Sequence, residues 1–69
     1  MTSYSNKVWN TLNDKLTDFA MEEGHSIYNL DLLFHHHINE ISTLFYNPNE
    51  HYSKIMVLAY KKTIKEYQQ

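Results

Sequence analysis

A chain of 69 residues with a net charge of −2 and no cysteine can build one small core, without disulfides or thiolate metal sites. All six basic residues are lysines, so the side chain best suited to bidentate phosphate recognition is missing. Core burial in a domain this size supplies on the order of a few kcal/mol, which leaves tight helix packing, self-association or a larger partner to do the rest.

Met1 to Asn6 is polar, with no apolar stretch behind a basic start, so no secretory signal is read and a cytoplasmic location is expected. Residues 4–23 then show Val8, Leu12, Leu16 and Phe19, with Trp9 and Ala20, at the i, i+3/i+4 spacing of one buried helical stripe. Gly24, the one glycine, stands where that helix should stop, because glycine takes a positive φ at little cost.

Residues 27–46 predict a second helix, with Ser26 as its N-cap. Ile27, Leu30, Leu33, Phe34, His37, Ile38, Ile41, Leu44 and Phe45 hold the helical period across five turns. Their broad arc suits a helix touching two neighbours, which places this helix in the middle. Asn47-Pro48-Asn49-Glu50 has the layout of a capping box, with asparagine as cap, proline at the first helical position and glutamate at the third.

The third helix is therefore expected over 48–67, burying Tyr52, Ile55, Met56, Ala59, Tyr60, Thr63, Ile64 and Tyr67. No segment sustains the period-two alternation of a strand. The longest apolar run, Ile55 to Tyr60, is far below the roughly 20 residues that span a bilayer, so no membrane is expected as partner. Short connections make consecutive helices antiparallel. The expected fold is all-α: a compact up-down-up three-helix bundle of long amphipathic helices, one domain over 1–69.

Four constellations could carry chemistry. His35-His36-His37 cannot converge on a metal by itself, since adjacent helical positions diverge by about 100°. His37 falls in the apolar arc and reads as a buried neutral imidazole. His36 with Glu40 (i, i+4) and Glu22 with His25 (i, i+3) have workable ligand spacings, which defines a metal-binding bundle as one alternative. The favoured expectation has no metal and no cofactor.

Asp14, Asp18 and Glu22 recur at i, i+4, i+8 on the first helix, as an acidic stripe for a basic partner or simply a solvated face. Lys54, Lys61 and Lys65 surround Leu58 on the third helix, with Lys62 nearby. Lysines near a helix C-terminus also complement its dipole, and nucleic acid would want arginine and more positive charge. A DNA-associated regulator using that face is the second alternative, with nucleic acid disfavoured as partner. Tyr28, Leu32 and Tyr46 fall outside the buried stripes and are interface candidates, including for a homodimer seam.

The spacing Leu12, Leu16, Ala20, Gly24 followed by a second helix resembles the small helical-hairpin aspartyl-phosphate phosphatases of sporulating bacteria. Their Ser-Gln-Glu-Leu-Asp signature corresponds here to His35-His36-His37-Ile38-Asn39, which lacks the acidic residue, so the resemblance implies a hairpin and no phosphatase activity. No nucleophile–base set and no glycine-rich phosphate loop is present, and catalysis is not expected. The expected function is a non-catalytic protein-binding module, a small regulator or inhibitor docking onto a larger protein. The Lys-, Asn-, Ile- and Tyr-rich usage, which suggests AT-rich coding, fits a phage or mobile element, where anti-defence and anti-CRISPR proteins of this kind occur.

Overall fold

The computed structural model describes residues 3–68, the first three by backbone alone. It is a three-helix bundle: α1 (Ser3–Glu23), α2 (Ile27–Ser42) and α3 (Tyr52–Tyr67). Leu12, Leu16 and Ala20 of α1, Leu30, Phe34 and Ile38 of α2, and Ile55, Met56 and Ala59 of α3 form the core. Val8, Trp9, Phe19, Ile41, Phe45, Val57, Tyr60, Ile64 and Tyr67 pack around it.

The first turn is built as its sequence demands. Gly24 has φ 74°, and the His25 amide donates to the Ala20 carbonyl at 3.0 Å, the six-to-one bond of a Schellman stop. The His25 ring then stacks on Phe19 with centroids 5.3 Å apart, closing the helix end with an apolar contact. Ser26 caps α2 by accepting from the Asn29 amide at 3.4 Å.

The second connection departs from expectation. Helix α2 ends at Ser42, not at 46. Ser42 Oγ donates to the Asn39 carbonyl at 2.8 Å and Thr43 Oγ1 to the Glu40 carbonyl at 2.7 Å. Those hydroxyls engage the carbonyls that the next helical amides would use. The amides of Thr43, Leu44 and Phe45 bond instead to Glu40, Ile41 and Ser42, three residues back, and the helix tightens and stops. Leu44, expected in the buried stripe, is consequently 81% exposed, while Phe45 turns inward beside His51.

Asn47 and Pro48 start a turn and not α3. Their carbonyls accept from the Glu50 and His51 amides at 3.1 Å, and α3 begins at Tyr52 behind His51, which makes no side-chain cap bond. Backbone carbonyls, not the side chains of a capping box, thus close a tight turn one revolution early. Ile27 and Tyr52, each the first residue of its helix, are exposed and not buried as the stripes suggested.

The centre of the bundle is α3, not α2. Helices α2 and α3 make the most extensive contact, α1 and α3 the next, and α1 and α2 the least. The reason lies in side-chain size: Ala59 and Thr63, both fully buried, let neighbouring backbones come close. Thr63 satisfies its hydroxyl locally by donating to the Ala59 carbonyl at 2.8 Å. The Cα trace extends 36 × 23 × 15 Å, and the concavities described below lie on its surface.

Candidate functional site

The groove between α1 and α3 combines apolar and cationic side chains. Val8, Thr11 and Leu12 come from α1, and Val57 and Tyr60 from α3. Lys7, Lys15 and Lys61 surround this floor, and the concavity measures about 440 Å³. Helical spacing explains the grouping. Val8 with Leu12, and Thr11 with Lys15, are i, i+4 pairs, while Val57, Tyr60 and Lys61 lie within one turn of α3.

All three lysines are exposed. Among the described residues, every ion pair involves a histidine, so no carboxylate lies within 4.0 Å of these ammoniums. Desolvation at the groove wall pushes the Tyr60 phenol above its ordinary pKa of 10.0, which keeps its hydroxyl a hydrogen-bond donor. The groove therefore offers a greasy floor with two hydroxyls and three positive charges beside it.

Of the interface candidates read from the sequence, only Lys61 lines this groove. Lys54, Leu58 and Lys65 share a face of α3 with Lys61 by helical spacing, and all are exposed. Asp14, Asp18 and Glu22 are likewise exposed and continue the α1 stripe of Lys7, Thr11 and Lys15 toward the C-terminal end. Tyr28 and Leu32 sit on the outer face of α2, and Tyr28 with Ile27 borders a smaller α1–α2 groove. Tyr46 is 98% exposed in the α2–α3 connection. These residues do not form one surface.

The histidines separate in the same way. His25 packs between Phe19 and Tyr67, with ring centroids at 5.3 and 4.9 Å, as an aromatic plug at the bundle end. His35 leans on Trp9 and lies 3.7 Å from Asp31. His36 and His37 meet around Glu40: His36 Nε2 is 3.4 Å from one carboxylate oxygen, and His37 Nδ1 is 3.8 Å from the other. Glu66 of α3 approaches His37 Nε2 to 3.0 Å, yet without the alignment of a hydrogen bond, and neither ring nitrogen has such a partner. His37 is 4% exposed, so both nitrogens are buried.

Lys7, Lys15, Val57 and Tyr60 were missing from the sequence-derived candidates, because their grouping depends on which helices adjoin. No family model, curated protein or solved structure matches this chain.

Proposed function

We propose that this chain is a non-catalytic protein-binding module whose α1–α3 groove docks an acidic amphipathic helix of a larger protein. The observation that carries this reading is an apolar floor of Val8, Leu12, Val57 and Tyr60 edged by three lysines that have no carboxylate within 4.0 Å among the described residues. An amphipathic helix laid in a groove buries one apolar face, and flanking carboxylates meet the rim. The rim charges supply orientation and association rate, and the floor supplies most of the binding energy. Among the described residues, His37 is the one buried side chain of acid–base character, and the others lie on open surface or partly covered at helix edges, which favours binding over reactions that need a water-excluded cleft. Such a module acts by occlusion, as a small regulator or inhibitor, and an anti-defence role on a phage or mobile element is in keeping with the residue usage.

The test uses synthetic amphipathic helices of identical apolar face, flanked by glutamate, glutamine or lysine, and measured by fluorescence anisotropy. The glutamate peptide is expected to bind tightest, with an affinity that falls as salt rises. Lys7→Glu, Lys15→Glu and Lys61→Glu together should weaken it about a hundredfold, at roughly 1 kcal/mol for each reversal. Equal affinity for all three peptides would contradict the reading. Sedimentation that shifts with protein concentration and is lost in the reversed variant would assign the groove to a second copy. Duplex DNA outcompeting the glutamate peptide would favour the nucleic-acid alternative.

A further inference from the structure

We infer that His36, His37 and Glu40 form a binding site for a borderline divalent cation, Zn²⁺ in the first instance, beside a depression that shares no lining residue with the lysine-edged groove. Adjacent histidines on a helix diverge, and on their own they could not share an ion. Glu40 resolves the difficulty. At about 100° per residue it lies roughly 40° from His36 and 60° from His37 around the helix axis, between the two. One ligand atom from each of the three residues lies within 4.8 Å of the others.

Zinc bonds of about 2.0–2.2 Å set ligand atoms about 3.4 Å apart in a tetrahedron. His36 Nε2 lies 3.4 Å from one Glu40 oxygen and His37 Nδ1 3.8 Å from the other, and with one atom taken from each residue the set spans at most 4.8 Å. Closing the remainder requires side-chain rotation only, and both His36 and Glu40 are exposed and free to make it.

His37 provides the independent indication. It is buried, and neither ring nitrogen has an aligned hydrogen-bond partner. With the ring proton on Nε2, facing Glu66, Nδ1 presents its lone pair to a Glu40 oxygen: two acceptors face each other across 3.8 Å. A cation between them satisfies both. Glu66, 3.0 Å from Nε2 but not aligned with it, stands where a carboxylate behind a ligating imidazole, once aligned, fixes ring orientation and raises basicity. Two imidazoles and one carboxylate suit zinc, nickel or copper better than calcium or magnesium, and leave a fourth position for water. Lys62 borders the same shallow depression and opposes the cation.

That opposition gives the test two directions. Untagged protein is titrated with Zn²⁺ by calorimetry, with folding of each variant checked by circular dichroism. One ion per chain is expected. Glu66→Gln should weaken binding by about tenfold, and His36→Ala or Glu40→Gln by at least that much. Lys62→Ala should strengthen it. His36, Glu40 and Lys62 are exposed, so these substitutions leave the core intact. Zinc should raise the melting temperature of the parent chain and not that of His36→Ala. Absence of zinc binding, or binding indifferent to both His36→Ala and Glu40→Gln, would overturn the site. Neither result bears on the groove.

Discussion

Phe34→Ala is expected to leave the chain largely unfolded, with no cooperative thermal transition by circular dichroism. Phe34 is fully buried at the middle of α2 and stacks on Trp9 of α1, with centroids 5.4 Å apart and planes 20° from parallel. That pair clips together the two helices that otherwise touch least. Truncating a buried phenylalanine costs about 3–5 kcal/mol through lost transfer energy and the cavity left behind. Total stability at roughly 0.05–0.15 kcal/mol per residue amounts to only about 3–10 kcal/mol for a chain this short. Leu32→Ala on the same helix is the control: Leu32 is half-exposed, and its loss should change stability by about 0.5 kcal/mol or less. A near-parental melt for Phe34→Ala would show that the core is not organised around this ring.

The second large effect has the opposite sign. His37→Leu is expected to stabilise the metal-free chain by about 1–2 kcal/mol, because burying polar nitrogens without aligned partners carries a desolvation cost. Leucine has a similar volume, and position 37 lies next to Ile38 and one helical turn after Phe34, both core residues. For a domain of 60–100 residues, 1 kcal/mol moves the midpoint by about 4–8 °C. Glu40 and Glu66, both exposed, remain solvated when the imidazole goes. The same variant should lose any zinc-induced shift, so stability and the metal site trade against each other at one residue. A lower melting temperature for His37→Leu would mean that the two carboxylates hold the imidazole in a net favourable ion pair.

What could be read from residues alone follows from how local each cause is. Gly24 and Ser26 act on backbone within a few positions, and the Schellman stop and N-cap appear where expected. The apolar stripes likewise contained all nine core side chains, since burial follows helical face; the first and last turns deviated, at Ile27, Leu44 and Tyr52. The end of α2 was hidden because Ser42 and Thr43 are compatible with helix until their hydroxyls bond back to the carbonyls. Asn47-Pro48-Asn49-Glu50 misled because caps and turns favour the same residue types, and here backbone carbonyls close a turn where a side-chain cap was expected.

The groove was less legible still. Lys61 was visible on α3, but its association with Lys7 and Lys15 depends on α1 leaning against α3 rather than α2, which small residues at Ala59 and Thr63 decide. The His36–Glu40 pair was visible as i, i+4 spacing, whereas the contribution of His37 needed Glu40 to fall between the two rings and Glu66 to arrive from another helix.

The docking face proposed for this chain is the α1–α3 groove. Amide spectra of the isotope-labelled chain, titrated with the glutamate-flanked helix, locate the docking face directly. The largest shifts are expected between Lys7 and Lys15 of α1 and between Val57 and Lys61 of α3, fading as salt is raised. Shifts centred on Tyr28 and Leu32 of α2, or on Tyr46 in the connection, would place the docking face elsewhere and contradict the account.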